Sequence, residues 1–217
     1  MPDCLTILPL NAVLQYCWQL TCPWASKENM SENKSIISPL RIDAVEVPSN
    51  GGLIGMTVCP GKDEYAGLGI QPGPWKRDLA LDLKVILDWQ TQVLVSLIEE
   101  FEFKLLGVPE LQEKTSDFGI QWLHLPIVDV GIPDWKFEEQ WKTAGKELRK
   151  VLEDGDRIVL HCRGGLGRTG MIAARLLVEF GVDPSAAIAA VRSARPGAIQ
   201  TKEQEEYVRR RGWCSES

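Results

Sequence analysis

A glycine-rich loop, HCRGGLGRTG at residues 161–170, holds a cysteine and an arginine six positions apart. Glycines at 164, 165 and 167 can adopt backbone conformations that other residues avoid, and they leave room for a ligand against the main chain. Successive N–H groups of such a loop, with the N-terminus of a following helix, form a site for an anion with several oxygens, most naturally phosphate. The predicted phosphate-binding positions are Arg163, Gly164, Gly165, Leu166, Gly167 and Arg168.

The side chains of this loop are suited to attack on phosphorus. A helix N-terminus and neighbouring arginines stabilise a thiolate, so we expect Cys162 to be ionised at neutral pH and to act as a nucleophile. A bidentate guanidinium at Arg168 would hold two phosphate oxygens and stabilise the transition state. Thr169 would donate to the sulfur as it leaves, with a plain helix N-terminal role as the alternative. His161 either orients the loop or is a satisfied buried histidine that props it.

The loop needs a strand before it and a helix after it, and the sequence supplies both. RIVLHC at 157–162 is an apolar, β-rich run that ends at the cysteine, and TGMIAARLLVEFG at 169–181 reads as a helix. Ligands of open α/β sheets bind beyond the carboxyl ends of the strands, where this loop would lie. Further strands are predicted at 42–48, 53–61, 92–98 and 120–127, and further helices at 78–90, 133–155, 183–197 and 201–212, with short helices within 101–119. The predicted fold class is α/β, with a mainly parallel central sheet flanked by helices.

The composition is that of an ordinary soluble protein, with 217 residues of which 44% are hydrophobic and 25% charged. A net charge of −6 argues against nucleic acid or an anionic membrane as a partner. The six cysteines are spread over the chain without a CxxC pair, which argues against a zinc site or a disulfide framework. We therefore predict a cytoplasmic protein without a metal or cofactor, and the oligomeric state is left open.

The first residues form a separate compositional region, because residues 4–26 carry no charge and are rich in apolar side chains. An export or anchoring segment is disfavoured by the missing basic residues ahead of this stretch and by its prolines and polar side chains. We predict that residues 1–35 form a tail, either disordered or produced by a start codon assigned upstream of Met30. Residues 36–217 are predicted to form the catalytic domain.

The loop resembles the C-x5-R signature of the cysteine-dependent protein phosphatases. HCRGGLGRTG, together with RPGAIQTKEQ downstream, looks most like the kinase-associated phosphatase branch of the dual-specificity family. The resemblance covers about residues 50–208, because CPG at 59–61, HLPIVDVGIPD at 124–134, the loop and the glutamine segment occur in the family's order. The family's mainly parallel sheet flanked by helices agrees with the fold class predicted from the residues.

A general acid must protonate the leaving oxygen, and the family resemblance places an aspartate on a loop about thirty residues before the cysteine. Asp129 matches this position, follows a predicted strand and lies among Gly and Pro residues suited to a closing loop. Asp134 is the competitor, although its place before WKFEEQW favours a helix N-cap. Val128 and Val130 flank the acid where the family more often has Pro-Asp-Gly, which puts loop closure in question.

Water must then attack the phosphocysteine, and the resemblance suggests a glutamine on AIQTKEQ to position it. Gln200 and Gln204 both qualify, and an exposed polar residue at a helix start is the alternative for either. Arg163 would add positive potential at the rim or be an ordinary surface arginine. The tryptophans at positions 75, 89, 122, 135 and 141 are expected to pack in the core or an interface.

The leading hypothesis is a protein phosphatase acting on phosphotyrosine, phosphoserine or phosphothreonine through a phosphocysteine. No segment resembles the tyrosine-recognition loop of the large tyrosine-specific enzymes, which implies a shallower dual-specificity pocket. One alternative keeps the mechanism but takes a non-protein phosphomonoester, such as a phosphoinositide, a nucleotide or a sugar phosphate. Another is a phosphoprotein-binding module without turnover, and a rhodanese-like sulfur transferase is a third.

Overall fold

The computed structural model describes residue 35 and residues 38–48, 51–63 and 76–211. The predicted tail over residues 1–35 lies outside the described residues apart from Ser35, and Trp75 lies outside them too. The boundary between tail and catalytic domain therefore stays a prediction.

A five-stranded sheet forms the centre of the described part of the chain. Its strands are β1 (Asp43–Glu46), β2 (Leu53–Thr57), β3 (Thr91–Ser96), β4 (Gln121–His124) and β5 (Arg157–His161). They lie in the order β1-β2-β5-β3-β4, and β1 pairs antiparallel with β2 while the other pairs are parallel. The predicted α/β class and the mainly parallel sheet are confirmed.

The central strand β5 delivers the loop to the carboxyl end of the sheet. Its apolar residues Ile158, Val159 and Leu160 are fully buried, as expected for a parallel strand covered on both faces. Because β5 has a parallel neighbour on each side, its end at His161 lies at the same edge as the ends of β2 and β3. Cys162 follows directly, so the predicted placement of this cysteine is confirmed.

Helices flank the sheet close to their predicted positions. They are α1 (Leu79–Asp88), α2 (Glu100–Leu105), α3 (Leu111–Asp117), α4 (Trp135–Glu153), α5 (Gly167–Glu179), α6 (Pro184–Ala194) and α7 (Lys202–Arg211). Aspartates cap three of them, as Asp78 accepts from Leu81 N, Asp134 from Phe137 N and Asp183 from Ser185 N. No helix among the described residues combines the length and apolar character needed to span a bilayer.

Each predicted strand ends earlier in the structure, and two of them end three or four residues early. Strand β2 stops at Thr57, four residues before the predicted end, and β4 stops at His124, three residues early. Pro60 and Pro126 lie in these extensions, and proline cannot donate a ladder hydrogen bond. The residues beyond each strand form loops at the edge of the sheet where the phosphate-binding loop lies.

Helix α5 is the buried helix of the fold, with every residue from Gly167 to Leu177 removed from solvent. Gly170 allows a close approach, since a Cβ there would lie 2.8 Å from the Cβ of Ala198. The buried Arg175 ties α5 to its neighbours by bonding Glu138 on α4 and Tyr207 on α7. These contacts hold α5, and with it the loop at its N-terminus, firmly against the rest of the domain.

Candidate active site

The loop from His161 to Arg168 wraps the sulfur of Cys162. The Cys162 side chain is 4% exposed, and the main-chain N–H of Gly165 donates to its Sγ at 3.2 Å. Helix α5 begins at Gly167, and its N-cap residue Leu166 provides no side-chain cap. The unpaired N–H groups of the first turn therefore remain available to an anion. Both features favour an oxyanion in front of the Cys162 sulfur.

Gly165 cannot be replaced by another residue without disturbing this loop. Its φ is +68°, in the left-handed region, and a Cβ at this position would lie 2.2 Å from the carbonyl oxygen of Thr57. By contrast, a Cβ at Gly164 would meet nothing within 4 Å. The loop thus lies directly on the end of β2 at Gly165.

Arg195 holds the loop from outside. Its guanidinium donates to the carbonyl oxygens of Gly165 and Gly164, the latter at 3.2 Å, and pairs with Asp43 at 2.6 Å. In a trans peptide the N–H points opposite to the C=O, so a bond that draws the Gly164 carbonyl outward turns the Gly165 N–H inward, toward the sulfur. Sequence reasoning missed this role, although Arg195 begins the RPGAIQT segment that marked the family resemblance.

Arg168 is 1% exposed and is fixed by a carboxylate that the sequence analysis did not identify. Its Nη1 and Nη2 donate to the two oxygens of buried Glu102 at 2.6 and 3.1 Å, and Nη1 also donates to the Ile127 carbonyl at 3.0 Å. Burial opposes the charge, but hydrogen bonding to Glu102 and the charge at Cys162 outweigh it and raise the pKa of Arg168 above its usual value. The guanidinium is therefore permanently charged and preset in orientation.

Three buried side-chain atoms in the described part of the chain have no hydrogen-bond partner, and all three lie in or next to this loop. They are Nδ1 of His161, Nε of Arg168 and Oγ1 of Thr169. Buried polar atoms are normally satisfied, so the two at the start of α5, on Arg168 and Thr169, indicate where a ligand binds. The predicted hydrogen bond from Thr169 to the sulfur is not formed in this structure, although its hydroxyl is buried beside the loop.

His161 lies beneath the loop in a chain of hydrogen bonds. Trp122 Nε1 donates to Ser96 Oγ at 2.9 Å, and Ser96 Oγ lies 2.6 Å from His161 Nε2. An indole only donates, so Ser96 Oγ accepts from Trp122 and forms a second hydrogen bond with His161 Nε2. Burial lowers the pKa of His161 to about 3, with the main chain of Cys162 opposing the shift and the charge of Arg168 adding to it. A neutral histidine therefore supports the loop.

The structure brings Asp129 to the loop and places Asp134 away from it. Asp129 Oδ1 lies 2.8 Å from Arg168 Nη2, and the Asp129 side chain is 47% exposed. Its Oδ1 also accepts from the Val130 N–H at 3.0 Å, with Val130 in the left-handed region at φ 62°. Asp134 accepts from the Phe137 N–H at 2.9 Å and is the N-cap of α4. Of the two candidate acids, only Asp129 faces the anion-binding loop of residues 161–168, the cradle.

The two glutamines approach the loop at Gly167 but differ in their surroundings. A Cβ at Gly167 would lie 2.7 Å from Gln200 Oε1 and 3.0 Å from Gln204 Oε1. Gln204 is fully buried, accepts from the Gln200 N–H at 3.0 Å and donates to the Gly131 carbonyl at 3.1 Å. Gln200 is exposed. Gln204 thus links the glutamine segment to the loop that carries Asp129, while the Gln200 amide faces solvent.

The surroundings of the loop are open and basic on one side. A cavity of about 700 Å³ is bordered by Gly164 and Leu166. Its lining includes the cations Arg41, Lys62, Arg77 and Arg195 against the single carboxylate Asp43. Arg41 and Arg195 both pair with Asp43, and Arg77 pairs with the buried Asp82. Arg163, on the loop itself, is exposed. This chain of net charge −6 therefore has a group of cationic side chains, most of them ion-paired, beside the loop.

The expectation that the tryptophans pack in the core or an interface has different outcomes at two positions. Trp141 packs in the core at 4% exposure, whereas Trp135 is 74% exposed and does not, because it occupies the first turn of α4 on the solvent side.

Cys59 is a buried free thiol, and burial raises its pKa well above its usual value. Of the two described cysteines, only Cys162 lies in the loop that leads into α5.

Comparison with known proteins gives the same family as the motif. Residues 92–208 match the family described as PTP-SAK: Swiss Army Knife protein, DSP-PTPase phosphatase domain. Cyclin-dependent kinase inhibitor 3 of Rattus norvegicus is 32% identical over 156 residues, which cover 67% of this chain and 70% of that protein. Tyrosine-protein phosphatase CDC14 of Saccharomyces cerevisiae is 34% identical over 89 residues, which cover 41% of this chain and 16% of that protein.

Solved structures share the fold. Kinase associated phosphatase, with its catalytic-site cysteine substituted by serine, matches with a TM-score of 0.68 at 26% identity, over 79% of this chain and 93% of that chain. Tk-PTP in its active form matches with a TM-score of 0.58 at 22% identity, over 79% and 97% of the two chains. Since the family match spans more than half of the sequence and the relatives include cysteine-dependent protein phosphatases, this chain belongs to the dual-specificity and tyrosine phosphatase family.

Proposed function

We propose that this protein phosphatase hydrolyses phosphotyrosine, phosphoserine or phosphothreonine in protein substrates through a phosphocysteine at Cys162. The observation that carries the proposal is the contact between the Gly165 N–H and Cys162 Sγ at 3.2 Å, in a loop whose buried Arg168 has a free Nε. The same main-chain N–H groups of the loop stabilise the sulfur anion and bind the phosphate. Phosphorus bound in that cradle lies in front of the nucleophile.

The first step transfers the phosphoryl group to sulfur. The Cys162 thiolate attacks phosphorus, the S–P bond forms, and the bond from phosphorus to the leaving oxygen breaks. Main-chain N–H groups of the loop and the Nε of Arg168 stabilise the three equatorial oxygens as charge redistributes. Glu102 contributes by holding the guanidinium plane, since both of its oxygens bond Arg168.

Asp129 is the general acid of this step. It lies 2.8 Å from Arg168 Nη2, beside the position of the bound phosphate. The incoming dianion competes with Asp129 for Nη2, which frees the Asp129 carboxyl to turn toward the leaving oxygen. Protonated Asp129 donates its proton to the departing alkoxide or phenoxide. Asp134 has no part in this step because it caps α4.

The second step returns the enzyme to its initial state. Water attacks phosphorus, Asp129 accepts the water's proton, the P–S bond breaks, and inorganic phosphate and the thiolate are released. Gln200 is the better placed glutamine to orient this water, because its exposed amide approaches Gly167 while Gln204 bonds main-chain groups. The buried hydroxyl of Thr169 turns to the sulfur as it becomes the leaving group.

Trapping of the intermediate tests this proposal. The protein is mixed with a phosphotyrosine or phosphothreonine peptide and quenched in acid, and the intact mass is measured. A mass increase of one phosphoryl group, mapped to the peptide containing Cys162, is expected, and Gln200→Ala should increase its accumulation more than Gln204→Ala. Hydrolysis without a phosphoenzyme would contradict the mechanism, binding without hydrolysis would favour a non-catalytic module, and hydrolysis confined to phosphoinositides or nucleotides would favour the non-protein alternative.

A further inference from the structure

Exposed apolar side chains of the described residues are concentrated around Asp129. Seven large apolar side chains are exposed in the described part of the chain, and four of them lie between positions 128 and 135. Their exposed fractions are 61% for Val128, 57% for Val130, 40% for Ile132 and 74% for Trp135. Scattered exposed apolar residues are ordinary, but four within eight positions form a patch that indicates an interaction site.

This patch, formed by residues 128, 130, 132 and 135 and called the acid-loop patch, adjoins the candidate active site through Asp129, whose Oδ1 lies 2.8 Å from Arg168 Nη2. Asp129 must touch the leaving oxygen of the substrate to protonate it, and that oxygen belongs to the phosphorylated side chain. The side chains on either side of Asp129, Val128 and Val130, therefore border whatever carries that side chain. In a protein substrate, the carrier is the polypeptide next to the phosphorylated residue.

A small pocket adjoins the acid-loop patch. Its volume is about 190 Å³. Five apolar residues supply most of its wall, Pro126, Ile127, Val128, Ile132 and Phe137, and the polar residues Glu99, Asp134, Lys136 and Gln140 complete it. Pockets that hold whole small molecules have volumes of roughly 300–1,000 Å³. The pocket therefore suits a single apolar side chain rather than a separate ligand.

We propose that the acid-loop patch and this pocket bind an apolar side chain of the phosphoprotein substrate, located within a few residues of the phosphorylated position. The inference rests on the proposed function, because it names a feature of the substrate of that same site. Its physical basis is burial of apolar area at a surface that substrate must already approach. Occupation of the pocket would also hold Asp129 against the leaving oxygen.

The proposal predicts a sequence preference that peptides can measure. The full chain is assayed on singly phosphorylated peptides in a serine and glycine background, with one leucine moved stepwise from three positions before the phosphorylated residue to three after it. At one position kcat/KM is expected to rise about tenfold or more over the peptide without leucine, the size of an apolar group's contribution to discrimination. Glutamate at that position should give no increase.

Two variants locate the effect. Ile132→Ser removes an apolar wall, and the ratio of kcat/KM between the leucine peptide and its serine counterpart is expected to fall to near unity. Leu87→Ser, on α1, removes an apolar side chain of similar exposure at 42% and should leave that ratio unchanged. Thermal unfolding of both variants checks that neither loses its fold.

The outcomes separate the two proposals. If phosphopeptides are hydrolysed equally with and without leucine, or the preference survives in Ile132→Ser, the inference is overturned while the proposed function stands. If p-nitrophenyl phosphate is hydrolysed but no phosphopeptide is, the protein-substrate function fails and the inference fails with it. If Ile132→Ser raises kcat/KM for every peptide, the pocket is covered by the chain itself, which also overturns the inference.

Discussion

The loop proposed to hold phosphate and the loop proposed to supply the acid are built in opposite ways. In the phosphate loop, residues 161–168, the glycine at 165 rests on the end of β2, and Arg195 bonds two of its carbonyls. In the acid loop, residues 128–134, the apolar side chains face solvent, and side chains from elsewhere provide the contacts. Those contacts come from Arg168 to Asp129 and from Gln204 to Gly131.

This difference reflects the separate task of each loop. An oxyanion is stabilised best by donors that need no rearrangement, which requires a buried and fully supported backbone. A general acid must meet the leaving group of a macromolecule and then let the product go, which requires an exposed position with few contacts. The two loops share one residue pair, Arg168 and Asp129, through which occupancy of the cradle can affect the position of the acid.

Replacement of the proposed nucleophile, Cys162, should give the largest loss of activity while leaving the phosphate-binding groups in place. Cys162→Ser is expected to lower kcat for p-nitrophenyl phosphate by on the order of 10⁵ or more, as found when a nucleophile is removed from an otherwise intact site. Phosphate binding, measured by calorimetry, should persist because the N–H donors remain. Cys59→Ala should keep turnover, since the Cys59 thiol is buried and held protonated. Retained turnover in Cys162→Ser would refute the covalent mechanism.

Replacement of the proposed general acid, Asp129, should affect only the function of the acid loop. Asp129→Asn is expected to lower kcat/KM for a phosphopeptide by about 10²- to 10⁴-fold, the usual contribution of general acid catalysis. The loss should be smaller for p-nitrophenyl phosphate, whose leaving group needs little protonation. Asp134→Asn is the matched control, because asparagine caps a helix as well as aspartate does. A larger loss in Asp134→Asn than in Asp129→Asn would transfer the acid role.

Weakening the outer support of the cradle should produce an intermediate effect. Arg195→Lys keeps the positive charge beside Asp43 but replaces the planar guanidinium, whose Nε, Nη1 and Nη2 bond separate acceptors, by a compact ammonium that cannot reproduce this geometry. Misplacement of the loop N–H groups should lower kcat by roughly 10- to 100-fold. Steady-state assays of p-nitrophenyl phosphate hydrolysis measure this, with Arg209→Lys on the surface of α7 as control. An unchanged kcat in Arg195→Lys would show that the loop keeps its geometry without this residue.

The smallest expected effect is a pH dependence of the free energy of unfolding caused by His161, the neutral histidine beneath the cradle. The unfolded chain protonates His161 near its ordinary pKa of about 6.5, whereas burial lowers the folded pKa to about 3. Between these values the unfolded state binds more protons, so the free energy of unfolding should fall as pH is lowered, by up to about 1.4 kcal/mol per pH unit. Urea unfolding of the wild type and His161→Asn at several pH values checks this, and identical pH dependence would contradict it.

Features that depend on residues close together in the chain could be predicted from the sequence. The strand at 157–161 has the apolar centre Ile158, Val159 and Leu160, and a glycine-rich loop and a helix follow it, so the fold class and the position of Cys162 at the end of this strand could be predicted. Asp134 was recognisable as an N-cap because a cap bonds the backbone two or three residues ahead. In each case the determining contacts lie within a few positions in the chain.

Contacts between residues far apart in the chain could not be predicted in this way. Glu102 holds Arg168 across 66 positions, and Arg195 reaches Asp43 across 152. Which of Asp129 and Asp134 faces the cradle, and which glutamine keeps its amide free, also became visible only in the fold. A sequence determines which groups a segment offers to its neighbours, but partners for buried charges and exposure of apolar side chains depend on how the sheet and its helices bring distant segments together.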